Sequence, residues 1–364
     1  MTAGARLTID LAALAGNYRL IREQVGPAAV GGVVKANGYG LGAVEVARTL
    51  IAEGCRHIFV ALQGEAEALV PQLDGTAQVY ILNGLLPGGE GPCAALGAVP
   101  VLNSLDQTER WAAQAASSGR RLPAVLQVDT GMSRMGFPAD ELDVLLARPA
   151  LLERIDLRFV MSHLACADTP ADAANAAQAA RFAQIAARFP GVPRALDNSG
   201  GAFHPRGHFD LVRAGIALYG GAPNDRANPM QPVVTLEARI AQLRTIPAGT
   251  GVGYGLTFRT TRETRIATIP VGYADGWPRC LGNVGSAYVA GHRVAVAGRV
   301  SMDSMTLDVT DVPAEHLYPG APVELLGPHQ GIDAVAADAG TISYEILTQL
   351  SRRYERVYLP AKPA

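Results

Sequence analysis

The chain has 364 residues, enough for one large domain and a smaller one. Hydrophobic residues make up 49% and charged residues 18%, a composition that predicts a large buried core and excludes a mainly disordered chain. Lys and Arg number 31 against 33 acidic residues, with no basic stripe, so nucleic acid is not expected as a partner.

The cysteines and the apolar runs indicate in which cellular compartment the protein is expected. The cysteines lie far apart and form neither a metal-binding nor a redox spacing: Cys55, Cys93, Cys166 and Cys280. This pattern is typical of a reducing cytoplasm, so we expect a cytoplasmic protein without a metal site. Asp10 interrupts the only apolar stretch near the N-terminus, which predicts no secretion signal. No apolar run approaches the ~18–20 residues of a membrane span, so no membrane partner is expected.

Short apolar runs alternate with Ala-, Leu- and Glu-rich stretches of helical period along the first part of the chain. Eight of these runs are predicted as strands: 29–37, 57–62, 78–84, 98–104, 122–131, 157–165, 193–201 and 210–220. Strands that alternate with helices pair in parallel, and eight of them predict an α/β fold with an N-terminal (β/α)8 barrel. Residues 220–232 are dense in turn formers and are interpreted as a linker.

The pattern changes to β-rich segments from about residue 233 onward, with one helix predicted at 339–353. These segments predict a C-terminal, mostly antiparallel β domain. We therefore assign residues 1–225 to the barrel and residues 226–364 to the β domain. The N-terminal residues 1–11 are a candidate partner strand for that second domain.

Polar side chains recur near the carboxyl ends of the predicted barrel strands, where active sites of such barrels lie. They are Lys35, Arg134, His163, Asn198, Ser199 and, within the eighth strand, Arg213. A single polar residue at a strand end more often stabilises the fold than takes part in catalysis. Convergence of so many on one rim favours an active site.

Lys35 lies where the first strand is expected to end, an unusual end for a buried strand. Nearby cations disfavour the ammonium form of an amine, so a lysine in this position can act as a nucleophile and form a Schiff base. Backbone N–H groups at Gly215, Gly220, Gly221 and the 198–201 turn resemble the phosphate site that follows the last two strands of such barrels. Together they predict pyridoxal phosphate as the cofactor.

Two alternative interpretations remain at this point. Gly38, Gly40 and Ala43 fit the loose dinucleotide fingerprint G-x-G-x-x-A between a strand and a helix. A Rossmann unit would also need an acidic residue at the end of the second strand, where the chain has Leu62 and Gln63. A non-catalytic pyridoxal phosphate carrier would use the same barrel, but it would not need the second domain.

Eight short segments stand in order along nearly the whole chain: VVKANGYGLG, VDTGMSRMG, DNSGG, VRAGIALYG, VGYGLTF, VGYADGWPR, GRVSMD and ISYE. Together they resemble bacterial alanine racemases. The resemblance implies a pyridoxal 5′-phosphate enzyme that interconverts L- and D-alanine, with a broader or serine-accepting racemase as the alternative. It also implies a head-to-tail homodimer in which each site borrows residues from the partner's β domain. Cell-wall supply of D-alanine and alanine catabolism both stay open as roles.

The resemblance assigns roles residue by residue. Lys35 and Tyr254 match the two catalytic bases, and Lys35 also binds the cofactor. The other implied cofactor residues are Tyr39, His163, Ser199, Arg213, Gly215, Ile216 and Tyr344. Contacts to the substrate carboxylate are implied for Arg134, Met302 and Asp303, and the access channel for Tyr273, Arg279 and Arg299.

By this resemblance, Arg213 faces the pyridine nitrogen and His163 contacts Arg213. Arginine is almost always protonated, so Arg213 would keep the ring nitrogen unprotonated. The cofactor then withdraws electrons less strongly, which limits decarboxylation and transamination.

Two positions depart from the family's pattern. Gln127 stands where the family usually has a lysine that becomes carbamylated, and Ala195 stands where it often has a channel-lining histidine. Because Gln127 has no amine to carbamylate, Arg134 is expected to lose a charged partner. Chloride, water or nothing is left open as the replacement.

Overall fold

The computed structural model describes residues 4–361, which form two compact units. The larger unit comprises Ala15–Leu218 and Ala222–Pro229. The smaller comprises the described residues up to Leu14, Tyr219–Gly221 and those from Met230 onward. Within residues 4–361, none of the helices combines the length and apolar character that a membrane crossing requires.

The larger unit is a closed barrel of parallel strands. Strand β1, Ala5–Asp10, precedes it in the chain. The barrel strands are β2 Ala29–Val33, β3 His57–Val60, β4 Gln78–Ile81, β5 Val99–Leu102, β6 Leu122–Gln127, β7 Ile155–Met161, β8 Arg194–Ala195 and β9 Leu211–Ala214. Each pairs with the next, and β9 pairs with β2. The predicted eight-stranded barrel is confirmed, and the Rossmann alternative is wrong because this sheet closes on itself.

Helices precede and connect the barrel strands. They are α1 Leu11–Val25, α2 Lys35–Tyr39, α3 Ala43–Ala52, α4 Gln63–Leu69, α5 Glu90–Leu96, α6 Leu105–Ser118, α7 Ala139–Leu146, α8 Pro149–Leu152 and α9 Ala173–Ala186. On α6, Thr108, Trp111, Ala112 and Ala115 are buried, a spacing of three and four residues that defines one helical face.

Two adjacent glycines let β2 pack closely. A Cβ on Gly31 would lie 2.6 Å from the Phe59 ring, and one on Gly32 would lie 2.4 Å from Leu50. The Phe59 ring stacks on Tyr80 with a centroid distance of 4.8 Å. Larger residues in β2 would displace these side chains, which explains the Gly-Gly pair before the Lys35 segment.

The smaller unit contains a nine-stranded sheet and a two-stranded ribbon. Its strands after β1 are β10 Val234–Arg239, β11 Gln242–Ile246, β12 Gly251–Val252, β13 Phe258–Arg259, β14 Thr264–Ile269, β15 Ser286–Val289, β16 His292–Val296, β17 Met305–Asp308, β18 Pro322–Leu326 and β19 Glu355–Leu359. The order in the large sheet is β11-β14-β17-β16-β15-β18-β10-β1-β19. Its pairs are antiparallel except that of β1 with β19, which confirms the predicted mostly antiparallel C-terminal fold.

The N-terminal strand β1 lies in the sheet of the smaller unit, between β10 and β19. Ala5, Leu7 and Ile9 are buried and alternate with less buried residues, as expected for a strand with one face on a core. The boundary at residues 225 and 226 stays a prediction.

The helix predicted around 339–353 corresponds to the shorter α11, Ser343–Gln349. A second helix, α10 Ile332–Ala339, precedes it and was not predicted. Gly340 ends α10 with φ of 67°, a left-handed conformation that favours glycine and stops the helix.

Candidate active site

Lys35 begins a single turn of left-handed backbone just after β2. The φ angles of Ala36, Asn37, Gly38 and Tyr39 are 52°, 55°, 63° and 53°. A left-handed φ costs a non-glycine residue roughly 1–2 kcal/mol. Three of the four residues have side chains, so the turn is strained and its surroundings must stabilise it.

Glu65 at the start of α4 supplies part of that stabilisation. Its Oε1 accepts a hydrogen bond from the Ala36 N–H at 2.5 Å, and its Oε2 accepts from the Ala61 N–H at 2.7 Å. Asn37 Oδ1 accepts from the Ala43 N–H at 3.1 Å. This role of Glu65 was not predicted from the sequence, although an acidic residue at the third position of a helix after a strand is a capping signal.

The electrostatic environment of Lys35 favours its neutral amine. Burial lowers the pKa of Lys35, and the positive charge of Arg134 lowers it further, whereas Glu65 opposes both. Burial also lowers the pKa of His163 to about 3, and the charges of Arg213, Arg134 and Lys35 add to that shift. His163 is therefore neutral at neutral pH. Because the charges of Lys35, Arg134 and Arg213 all act on His163, these four side chains form one electrostatic cluster.

Arg213 lies in β9 and is only 3% exposed. Its Nη2 donates to the Ser162 carbonyl at 2.6 Å and to the Leu196 carbonyl at 3.2 Å, and lies 3.3 Å from His163 Nδ1. Its Nη1 is buried and has no hydrogen-bond partner among residues 4–361. Burial lowers the pKa of Arg213 to about 10, so the guanidinium stays charged at neutral pH.

Ser199, Gly215 and Tyr39 form a compact polar cluster in the same unit. Ser199 Oγ accepts hydrogen bonds from the Gly215 N–H at 2.8 Å and the Ala217 N–H at 3.3 Å. A Cβ on Gly215 would lie 2.4 Å from Tyr39 Oη, so only glycine permits this approach. Ile216 follows and is buried. Hydroxyl and N–H groups this close together suit an anion such as phosphate.

Arg134 lies on an exposed loop after β6 that Asp129 orders. Asp129 Oδ1 accepts hydrogen bonds from three successive backbone N–H groups, residues 131–133, at 2.8, 3.0 and 3.2 Å. Gln127 is buried and its Nε2 donates to the Met135 carbonyl at 3.3 Å, so it supports the loop through the main chain. The role of Asp129 was not predicted from the sequence, although Asp-Thr-Gly at a strand end signals such a turn.

In the smaller unit, Tyr254 lies on a turn between β12 and β13 and is 71% exposed. Together with Tyr273, Arg279 and Arg299 it lines a cleft of about 280 Å³. The structure thus brings the candidate second base together with the three residues predicted for the access channel.

Met302 and Asp303 lie in an exposed loop of the smaller unit. The Met302 carbonyl accepts from the Ala274 N–H at 2.9 Å. Asp303 forms an ion pair with Arg353 at 2.8 Å, and Arg353 Nε lies 3.2 Å from the buried Asp275. Arg353 therefore connects two loops, a role for which its sequence gave no signal. Tyr344 lies on α11 and is partly exposed.

Comparison with known proteins covers both units. The family model described as "Alanine racemase, N-terminal domain" matches residues 9–223, and that described as "Alanine racemase, C-terminal domain" matches residues 233–358.

Relatives match over nearly the full length. The catabolic alanine racemase of Rhizobium johnstonii is 53% identical over 354 residues, which is 97% of this chain and 94% of that protein. The alanine racemase of Brucella canis is 51% identical over 374 residues, covering 99% and 94%. The crystal structure of alanine racemase from Bartonella henselae with covalently bound pyridoxal phosphate is 42% identical, with a TM-score of 0.95 over 98% of this chain and 100% of that one. By sequence and by structure, this chain belongs to the alanine racemase family of isomerases.

Proposed function

We propose that this protein interconverts L- and D-alanine with pyridoxal 5′-phosphate bound through Lys35, and that Lys35 and Tyr254 act as bases on opposite faces of the substrate. The observation that supports this most directly is the convergence of Lys35, Arg134, His163 and Arg213 in one electrostatic cluster. The covalently bound pyridoxal phosphate of the Bartonella henselae relative supports the choice of cofactor.

The residues of the barrel fit this cofactor. The Ser199–Gly215–Tyr39 cluster suits its phosphate, and the unpartnered Nη1 of Arg213 suits an acceptor such as its ring nitrogen. The residues that would bind it are Lys35, Tyr39, His163, Ser199, Arg213, Gly215, Ile216 and Tyr344. When bound, the cofactor withdraws electrons from the α-carbon and so acidifies its proton.

Two bases account for inversion at the α-carbon. Lys35 can accept a proton because burial and Arg134 favour its neutral amine. The Tyr254 phenol would donate a proton to the opposite face, and the roles exchange in the reverse direction. Arg134, Met302 and Asp303 would bind the substrate carboxylate, and a guanidinium on the α-carboxylate fixes which bond faces each base.

Arg213 would restrict the reaction to proton transfer. Because it stays protonated well above neutral pH, it can donate to the ring nitrogen but cannot accept a proton from it. A pyridine ring whose nitrogen is unprotonated withdraws electron density less strongly, which disfavours decarboxylation and transamination.

A head-to-tail homodimer is the proposed assembly, with Tyr254 supplied by the partner subunit. In the single chain, Tyr254, Leu256, Met302 and Ile342 are all exposed. Large apolar side chains exposed on one unit are typical of a surface that another chain covers. In this assignment, residues 1–225 carry the cofactor-binding lysine and residues 226–364 supply the second base, while of residues 1–11 the strand β1 lies in the sheet of the smaller unit and residues 1–3 lie outside the described residues.

A cytoplasmic location is also proposed. Its support is that all four cysteines are free thiols, two of them buried, as expected in a reducing compartment.

The test is to incubate the purified protein with each L-amino acid in turn and to separate the products by chiral chromatography. We expect D-alanine to form from L-alanine. Comparable turnover of serine would show a broader racemase. A protein that retains a visible cofactor and racemises no amino acid would overturn the proposal.

A further inference from the structure

Asp197 lies between β8 and β9, and its buried carboxylate has no role in the mechanism proposed above. It is fully buried, and its side chain contacts two basic residues. Its Oδ1 accepts a hydrogen bond from Arg206 Nη2, and its Oδ2 lies 3.0 Å from His208 Nδ1. A buried carboxylate requires such partners, because removing its charge from water is costly.

The main chain around Asp197 fixes Arg213 at two points. The Asp197 carbonyl accepts from the Arg213 N–H at 2.9 Å. The carbonyl of the preceding residue, Leu196, accepts from Arg213 Nη2 at 3.2 Å. Any shift of the 196–197 backbone would therefore displace both the strand position and the guanidinium of Arg213.

The charge of Asp197 also acts on Arg213. Burial lowers the pKa of Arg213, and the Asp197 carboxylate opposes that shift. Among residues 4–361, the side-chain contacts of Arg213 are His163 and the Ser162 and Leu196 carbonyls, so the Asp197 carboxylate, which pairs with Arg206 and His208, acts on Arg213 from a distance.

The sequence around Asp197 leaves room for this arrangement. A Cβ on Gly201 would lie 2.5 Å from Asp197 Oδ1 and 2.9 Å from Leu164. Gly201 N–H instead donates to Asn198 Oδ1 at 3.0 Å, which closes the turn. The second glycine of DNSGG is therefore required by the position of the carboxylate.

We propose that Asp197, anchored by Arg206 and His208, is a positioning residue that fixes the 196–197 backbone and so keeps Arg213 aimed at the cofactor's ring nitrogen. The inference rests on the proposed function, in which Arg213 faces that nitrogen. Asp197 itself touches neither cofactor nor substrate in this scheme and acts through Arg213.

The test follows the ring nitrogen directly. The purified holoenzyme is prepared with pyridoxal 5′-phosphate labelled with nitrogen-15 in the ring, and the nitrogen chemical shift is recorded at about pH 7. In Asp197→Asn the amide cannot accept from both Arg206 and His208, so the 196–197 backbone is held less firmly and the shift should move toward that of Arg213→Lys. Asp210→Asn is the matched control, because Asp210 lies in the same segment but pairs with the half-exposed Arg194 at 3.2 Å.

A second variant guards against misfolding. Asp197→Asn leaves the partly exposed Arg206 without its acid, and an unpaired charge at that position destabilises the fold. The double variant Asp197→Asn with Arg206→Gln removes both charges, so it is expected to fold better and to show the same change of the ring-nitrogen shift. Arg206→Gln alone can still donate to the Asp197 carboxylate and should leave the shift near that of the unaltered protein.

The outcomes separate this inference from the proposed function. If Arg213→Lys alters the ring-nitrogen shift while both Asp197 variants match the unaltered protein, Asp197 has no positioning role and the cofactor assignment stands. If Arg213→Lys leaves the shift unchanged, Arg213 does not face the ring nitrogen, and both the assignment and this inference are overturned.

Discussion

The Oε1 atom of Glu65 accepts a hydrogen bond from the Ala36 N–H at 2.5 Å, so a carboxylate on α4 fixes the strained turn that positions Lys35. The same carboxylate raises the pKa of Lys35 and so opposes the effects of burial and Arg134. Glu65 therefore stabilises the backbone of the turn and at the same time reduces the reactivity of its amine.

Replacing Glu65 with Gln separates these two effects. The amide can still accept from the Ala36 N–H, but its NH₂ group cannot accept from the Ala61 N–H, which should cost about 1–3 kcal/mol of stability. Loss of the negative charge lowers the pKa of Lys35, so the amine is neutral at lower pH. The pH at which apoprotein associates with pyridoxal phosphate at half its maximal rate should fall.

Stopped-flow absorbance across pH measures that rate, and Glu67→Gln is the control. Glu67 lies on the same helix, but its Oε1 accepts a hydrogen bond from Gln63 Nε2 at 2.9 Å rather than from the Lys35 turn. An unchanged or raised midpoint in Glu65→Gln would show that Glu65 does not set the protonation of Lys35.

Lys35 should be the residue that binds pyridoxal phosphate covalently. The purified protein should show a visible absorbance that borohydride abolishes, with the reduced adduct recovered on the peptide that contains Lys35. Lys35→Ala should lack both the absorbance and the label. Peptide mass spectrometry provides the measurement, and a label on another lysine would contradict the assignment.

Tyr254 should be the second base, supplied by the partner subunit. Tyr254→Phe should slow both directions by about 10²- to 10⁴-fold, the typical contribution of an acid–base group. Exchange of the α-proton with solvent should then proceed from one enantiomer only. Proton NMR of each enantiomer in deuterium oxide measures this exchange.

Mixing protomers tests whether sites are shared. Lys35→Ala and Tyr254→Phe proteins are each expected to be inactive or nearly so, and a hybrid dimer would contain one intact site. Activity should therefore return after subunit exchange, which native mass spectrometry can verify. Verified exchange without recovery would count against the trans arrangement.

Hydrophobic periodicity was sufficient to predict the barrel because each of its strands is a short apolar run between turn residues. Strand ends were less predictable. The seventh barrel strand was expected over 193–201, but it is β8, which comprises only Arg194–Ala195, because the polar turn that follows does not pair with the neighbouring strands. The ribbon of β12 and β13 was missed because two-residue strands have no readable period.

In the candidate site, too, some residues could be predicted from the sequence and others could not. Residues such as Lys35 and Arg213 were found because a charged side chain beside an apolar strand is conspicuous. Glu65 and Asp129 act by accepting hydrogen bonds from backbone N–H groups of a folded turn, and such contacts have only weak local signals. Arg353 pairs with Asp303 fifty positions away, a contact that no local pattern could predict.

Gly215→Ala should weaken cofactor binding. The added methyl group would lie 2.4 Å from Tyr39 Oη, so the hydroxyl must leave the phosphate cluster or the backbone must move. We expect the dissociation constant for pyridoxal phosphate to rise at least about tenfold, or 1.4 kcal/mol. Gly207→Ala is the control, because a Cβ there meets no atom within 4 Å. Fluorescence titration of the apoproteins measures both, and equal affinities would remove Gly215 from the phosphate site.

Gln127 should make the enzyme independent of carbon dioxide. It has no amine to carbamylate, and its Nε2 already supports the Arg134 loop by donating to the Met135 carbonyl. Activity should therefore be the same in degassed buffer and in bicarbonate. Gln127→Lys introduces the amine, and that variant should gain activity as bicarbonate is added. A bicarbonate requirement in the unaltered protein would overturn this account of Gln127.

The same loop decides whether a counterion replaces the missing carbamate. Arg134 is exposed in this chain, so water can satisfy its guanidinium and no bound anion is required. We therefore expect KM for alanine to stay flat when chloride replaces an inert anion at constant ionic strength. Holding ionic strength constant is essential, because general screening would otherwise alter the attraction between Arg134 and the substrate carboxylate. A KM that falls with chloride would instead show that Arg134 recruits an anion, and the effect should then disappear in Gln127→Lys once bicarbonate is present.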